Sequence, residues 1–206
     1  MTKSFLTGFF LGLSLIIAIG AQNTFVLRQG ILGQHVFYVA LFCAASDALL
    51  ISIGVAGISF FLNNFISQNS NFLFGLSSVW LVGYGLIRLW SALKSNNTIK
   101  IEVSILKGLF PTISIAAALT FLNPHVYLDT MILIGSISQQ FSGFYKVTFA
   151  LGAVLASFVF FFSLAYGAKI LTPLMQSQSS WRYLDCLISL IMFTIAFQLA
   201  SAGNWL

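Results

Sequence analysis

Residues 7–27 read TGFFLGLSLIIAIGAQNTFVL and residues 107–127 read KGLFPTISIAAALTFLNPHVY. Set one over the other at an offset of 100, without gaps, they share six identities in 21 positions: Gly8, Phe10, Ser14, Ala18, Asn23 and Val26 recur as Gly108, Phe110, Ser114, Ala118, Asn123 and Val126. Apolar composition inflates chance matches, but the two asparagines fall in a polar interruption at the same place in both stretches. Hydropathy and punctuation around these stretches predict spans at about 5–26, 36–62, 69–91, 111–135, 145–171 and 183–203. Each copy then holds three spans. Because three is odd, the second copy enters the membrane with opposite orientation, as an inverted repeat. The expected fold is an all-α polytopic membrane protein of about six transmembrane helices, in two inverted three-helix repeats with discontinuous helices 1 and 4. One transmembrane domain, 1–206, would comprise a first repeat over about 1–91, a connecting loop over about 92–106 and a second repeat over about 107–206.

Composition points the same way. Of 206 residues, 59% are hydrophobic and 6% charged, with mean hydropathy +0.98, whereas soluble domains carry about 25% charged residues. Six spans of about 20 residues leave only short connections and no room for a separate soluble domain. The net charge of +5 would suggest nucleic acid in a soluble chain, but the basic residues cluster at the ends of apolar stretches. Arg28, Arg88, Lys94, Lys100, Lys107, Lys169 and Arg182 follow spans one, three and five, while only Lys3 and Lys146 lie opposite. The positive-inside rule makes those three loops cytoplasmic and turns both termini outward. The longest connection, from Ser91 to Phe110, carries Lys94, Asn96, Asn97, Lys100, Glu102 and Lys107, and is polar enough for water or the interface. Lys3, the run from Phe5, Ala18 and Gly20 mimic a signal peptide, but the internal repeat argues against cleavage. Cys43 and Cys186 stand singly in apolar runs and read as small core residues.

Two interruptions carry the chemistry. Span one is broken by Gly20-Ala21-Gln22-Asn23-Thr24 and span four by Thr120-Phe121-Leu122-Asn123-Pro124-His125. Pro124 lacks an N–H and frees the carbonyl of Thr120, and it biases Asn123 away from helical geometry. Such a break survives in lipid only where protein, water or a ligand satisfies it. Gln22, Asn23 and Asn123 supply amides for that purpose, and Gln22, Asn23, Asp47, Asn123, Pro124 and Asp129 are the candidate substrate-binding residues. The alternative is a kinked helix packed on its neighbours.

Asp47 lies near the middle of span two, and Cys43, Ala44, Leu50 and Ile51, three and four residues away, offer it no counter-charge. An aspartate at mid-span costs about 2.5–3.5 kcal/mol on the insertion scale, so it faces the bundle interior, where it can take up and release a proton. Asp129 follows the second break with His125 one turn before it, and the two can share a helix face and a proton. Asp47, Asp129 and His125 are the candidates for proton coupling; a structural, hydrogen-bonded aspartate is the bland alternative. Arg28, after the first break, is either a carboxylate contact or a topology signal. Asp185 and His35 read as interfacial. Gly8, Gly12, Gly83 and Gly85 read as helix-contact surfaces, and Phe158-Val159-Phe160-Phe161-Phe162 as lipid-facing bulk. No phosphate loop, haem ligand pair or metal cluster is legible, so neither cofactor nor metal is expected.

The run Gly20-Ala21-Gln22-Asn23-Thr24-Phe25-Val26-Leu27-Arg28-Gln29-Gly30, with His35-Val36, Ser46-Asp47-Ala48-Leu49-Leu50 and Leu119-Thr120-Phe121-Leu122-Asn123-Pro124-His125-Val126-Tyr127-Leu128-Asp129-Thr130, closely resembles the LysE-type exporters of lysine and arginine over nearly the whole chain. The related homoserine and threonine exporters usually have a Pro-Gly-Pro type break where this sequence has Gly-Ala-Gln-Asn. The resemblance implies a non-enzymatic, multi-pass exporter of basic amino acids in the bacterial inner membrane, driven by the proton gradient or the membrane potential. Protons are the expected coupling ion, the basic amino acid and the lipid bilayer the expected partners; no nucleic acid is expected, and a homo-oligomer stays open. The competing readings are export of a neutral amino acid or metal cation, and a membrane thiol oxidoreductase. The last would need cysteines at both breaks, where this chain has Asn23 and Asn123.

Overall fold

The computed structural model describes residues 1–17, 20–93, 108–203 and 205. The connecting loop, with Lys94, Lys100, Glu102 and Lys107, and the Ala18 match of the repeat lie outside the described residues. Every regular element among the described residues is a helix. The main helices in chain order are α1 (Thr2–Ile16), α2 (Ala21–Leu32), α3 (Val36–Ile53), α4 (Ser59–Leu93), α5 (Leu109–Phe121), α6 (Pro124–Ser138), α7 (Phe144–Gly167) and α8 (Gln178–Ala202), with a 3-10 segment over Ala168–Gln176 between the last two.

Four stretches are long and apolar enough to cross a membrane alone: Val36–Gly57, Phe74–Leu93, Phe144–Leu174 and Ser179–Ala202. The α1/α2 pair, bent by 82°, and the α5/α6 pair, bent by 65°, each reach that length only together. Four spans therefore become six when each bent pair is counted as one, and the chain is an all-α polytopic membrane protein. Apolar side chains such as Phe110, Val79, Leu151 and Leu190 are exposed on its outer face, as a surface in contact with lipid requires.

The second break falls at Leu122 and Asn123, inside the expected segment; the first ends at Gly20, with residues 21–24 already helical in α2 rather than forming the interruption, and one connection also departs from expectation. A loop is expected at about 63–68, between the second and third spans, yet α4 runs through that region as helix. The path bends earlier, in a π-helical turn over Gly54–Ile58 where Gly57 takes φ 98°, a backbone conformation only glycine adopts without strain. Polar residues after Gly57 lower hydropathy without breaking the helix, whereas the glycine does.

Small residues set how closely the helices cross. A Cβ built at Gly8 would strike the carbonyl oxygen of Phe149, and one at Gly152 that of Phe5, so α1 and α7 touch backbone to backbone. Gly12 meets Ala153 in the same seam. Without a hydrophobic drive between helices in lipid, such contact supplies much of the association energy. A second crossing joins the end of α3 to α6: a Cβ at Gly54 would lie 2.5 Å from the Met131 carbonyl oxygen, and one at Gly135 2.7 Å from that of Gly54. Gly85 packs against Phe193, but Gly83, expected at a helix contact, has nothing within 4 Å of its Cβ position. Cys186 also departs from expectation, being exposed, while Cys43 is buried in the core.

Gly8→Val overpacks the α1/α7 seam and is expected to cost about 1–3 kcal/mol, lowering the melting temperature of the detergent-purified protein. Gly83→Ala meets open space and removes glycine's helix penalty of about 1 kcal/mol, so its melting temperature should hold or rise.

Candidate functional site

Each bent helix leaves carbonyls at the end of its first half and N–H groups at the start of its second, and the structure shows which side chains meet them. At the first break, Asn23 Nδ2 donates to the carbonyl of Ile16, the last residue of α1, at 2.7 Å. Thr24 Oγ1 donates to the Gly20 carbonyl at 2.7 Å. Gly20 is the N-cap of α2 and brings no side-chain acceptor, so the first turn of α2 points its N–H groups into the break. At the second break Asn123 is itself the N-cap, its Oδ1 accepting from the His125 N–H at 3.1 Å. Pro124 follows at the first helical position, where its missing N–H costs nothing. The carbonyls closing α5 are served from elsewhere: Tyr127 Oη donates to Phe121 at 2.8 Å, and Ser77 of α4 donates to Leu122.

The two asparagines matched in sequence thus do different work. Asn23 closes the helix before it and Asn123 opens the helix after it. The residue doing for α5 what Asn23 does for α1 is Tyr127, and the two N-caps, Gly20 and Asn123, stand 103 residues apart rather than 100. A gapless match finds the breaks but not this slip.

Both breaks face one cavity of about 240 Å³. Gln22, Asn23, Asp47, Asn123, His125 and Asp129 all line it, so six of the residues singled out from sequence converge on one place. Pro124 is buried at the head of α6 but does not line it. Asp47 is 3% exposed, and Ser157 of α7, fully buried, donates its hydroxyl to Asp47 Oδ2 at 3.1 Å. Asp129 enters the wall on a π-helical stretch, Leu128–Leu133, inside α6. Such bulges re-aim side chains and gather at functional sites.

Among the lining residues that the sequence did not single out for the site, three stand out beside the aliphatic Leu15, Ile16 and Ile195. Gln198 reaches the cavity from α8, Thr130 follows Asp129, and Phe161 closes one wall. Phe161 belongs to the stretch read as lipid-facing, yet it is 1% exposed. Ser157 escaped as well, since nothing local marks a serine 110 residues from its aspartate.

Arg28 does not reach the cavity. Its Nε lies 3.4 Å from Asp185 Oδ1, and its guanidinium stands 5.8 Å from the Trp181 ring. Asp185, read as interfacial, is instead buried between α2, α4 and α8, with Arg88 also at hand. The carboxylate that Arg28 meets in this structure belongs to the protein.

Asn123→Ala removes the N-cap of α6 and should lower stability by about 0.5–2 kcal/mol, while Asn123→Ser keeps an acceptor and should recover most of it. Melting curves of the three proteins in detergent check this.

The family model for LysE type translocators matches residues 13–203. The arginine exporter protein ArgO of Salmonella enteritidis PT4 is 39% identical over 207 aligned positions, covering 98% of this chain and 96% of that one. The arginine exporter protein ArgO of Salmonella gallinarum is 39% identical with the same coverage. The protein of that name from Salmonella typhimurium is 38% identical, again with the same coverage. No solved structure matches the chain. With both helix breaks and the aspartate of α3 inside the matched region, and relatives alike from end to end, the chain belongs to the LysE type translocator family.

Proposed function

We propose that this protein is a secondary transporter that exports basic amino acids, arginine first among them, across the bacterial inner membrane. The observation that carries the reading is the cavity: two carboxylates, Asp47 and Asp129, face one small chamber of mixed polar and apolar lining between two bent helix pairs. The names of the full-length relatives direct it to arginine.

The chemistry follows from what the walls offer. A volume of about 240 Å³ lies just below the range of about 300–1,000 Å³ of drug-sized ligand pockets, which suits an amino acid. The guanidinium or ammonium of the substrate side chain meets Asp47 and Asp129, whose charge is otherwise costly at this depth. The α-carboxylate needs N–H donors, and the start of α2 favours it over the start of α6. Pro124 has no N–H and Asn123 already caps the His125 N–H, whereas α2 begins at a glycine with no side-chain cap. A Cβ at Gly20 would meet nothing within 4 Å, so there is room for the ligand at the positive end of the helix dipole. Gln22, Asn23 and Gln198 complete the wall with amides.

Protonation of Asp47 or Asp129 from the outer side weakens the hold on the cation and releases it, with His125 as a local proton partner. Two halves of three spans each, of opposite orientation, rock about the chamber to alternate access. In this topology the loops after spans one, three and five are cytoplasmic.

Inverted membrane vesicles should accumulate labelled arginine, and lysine to a lesser or equal degree, faster when a proton gradient is imposed. Asp47→Asn should abolish uptake while the protein inserts and melts normally. Unimpaired uptake by that variant, or no uptake of either amino acid by the parent protein, ends the assignment.

A further inference from the structure

Between α7 and α8 the chain stays apolar after it has crossed the membrane. The 24 residues of α7 span about 36 Å at about 1.5 Å per residue, more than the roughly 30 Å of the hydrocarbon core. The apolar stretch nevertheless runs on to Leu174, 31 residues in all, and its last residues form the 3-10 segment Ala168–Gln176. Nor does α8 need that segment for its return, since its own 25 residues cover about 38 Å. The segment therefore lies at the depth of the lipid head groups.

It is tied to the protein on one side. Ala168 is 2% exposed and belongs to the main core, and Leu171 packs against that core. A Cβ at Gly30 of α2 would strike the Ala165 carbonyl oxygen and lie 2.6 Å from the Ala168 Cβ, so the head of the segment is pressed onto α2. Ile170 and Leu174, by contrast, are 80% and 65% exposed. Leaving aliphatic side chains bare costs free energy in water, whereas an interfacial segment sinks such residues about 5–10 Å into the boundary between head groups and acyl chains.

The exposed charges around the segment have one sign. Lys169 and Arg182 are exposed, and from Tyr166 to Tyr183 the sequence holds no acidic residue. The next one, Asp185, is buried and engaged with Arg28 and Arg88. Lys169 Nζ stands 5.6 Å from the ring of Tyr166, and both Tyr166 and Tyr183 are exposed. Tyrosine is enriched at head-group level, and lysine extends its ammonium from an apolar stem towards the polar side. Cations set beside exposed aliphatic side chains complement a molecule that carries a phosphate next to acyl chains. A free phosphate would meet the cations and leave Ile170 and Leu174 bare; an anionic phospholipid meets both.

We propose that the segment Ala168–Gln176, through Lys169, Ile170 and Leu174 and with Arg182 of α8, is a docking surface for anionic phospholipid. The aliphatic side chains enter the acyl boundary and the two cations hold phosphates. The segment joins α7, whose Ser157 holds Asp47, to α8, whose Gln198 lines the chamber, so the charge of the surrounding lipid bears on two helices that build the site.

The test follows Trp181, in the first turn of α8, as the sole tryptophan after Trp80, Trp90 and Trp205 are replaced by phenylalanine. In phosphatidylcholine vesicles, phosphatidylglycerol with brominated acyl chains should quench it at roughly one-fifth or less of the mole fraction that brominated phosphatidylcholine needs, since a single cation near the surface is worth roughly fivefold in affinity. Lys169→Gln with Arg182→Gln should bring the two lipids level, and Ile170→Ser with Leu174→Ser should weaken quenching by both. Equal quenching by the two lipids while both cations are present, or a preference that survives their loss, overturns the docking surface. A second reading leaves every tryptophan in place: phosphatidylglycerol should raise the melting temperature of the detergent-purified chain more than phosphatidylcholine does, and Lys169→Gln with Arg182→Gln should abolish that difference. The absence of any difference in the unaltered chain equally overturns the proposal. Neither readout involves transport, so the outcome stands apart from the export reading.

Discussion

The hydrocarbon interior of a membrane offers no hydrogen bonds, so every backbone group freed by a broken helix must be met by protein, water or ligand. That one constraint organises the structure. Breaking α1 from α2 and α5 from α6 frees carbonyls at Ile16, Phe121 and Leu122, and the chain supplies Asn23, Tyr127 and Ser77 to meet them. Asn123 meets the N–H of His125 at the head of α6. The start of α2, with glycine as its cap, is left to face the chamber. Polar residues are present at this depth because the breaks are there, and the breaks make a chamber in which aspartates can persist.

Packing turns that chamber into a site. Asp47 sits on α3 and Asp129 on α6, and these helices cross where Gly54 and Gly135 leave no space for a side chain. A larger residue at that crossing would push the helices apart and open the chamber. The π-helical turns over Gly54–Ile58 and Leu128–Leu133 lie at the same crossing, where a departure from regular helix lets both backbones approach and still aims Asp129 into the cavity. On the far side of Asp47, Ser157 of α7 holds Oδ2. The α1/α7 seam holds α7 in turn, so α1 contributes to the site through packing as well as through its broken end.

Much of this was legible in the sequence because it is local. Hydropathy located the four apolar spans and the two bent pairs, and the amides and proline marked the bends. An aspartate with no charged helical neighbour had to point inward. What stayed hidden depends on pairs far apart in the chain. Ser157 with Asp47, and Arg28 with Asp185 and Arg88, meet only once the helices pack, and only then do Gln22 and Gln198 come to line one cavity. Asn23 and Asn123 match in sequence and both lie at a break, but their bonds differ, one to the helix before and one to the helix after, and only the packed structure shows this. Phe161 looked like its lipid-facing neighbours because composition does not tell which side of an aromatic run faces inward. Gly83 and Cys186 looked like packing residues for the same reason.

If water and substrate reach the chamber between the bent helices, a thiol placed on its wall responds to both. With Cys43 and Cys186 replaced by alanine, a single Val126→Cys places a thiol on the cavity wall beside Asn123 and Asp129. In membranes it should react with a small membrane-impermeant thiol reagent, and arginine should slow that reaction in a concentration-dependent way. A folded protein whose thiol stays inert, or reacts at a rate indifferent to arginine, has no substrate chamber between α2 and α6.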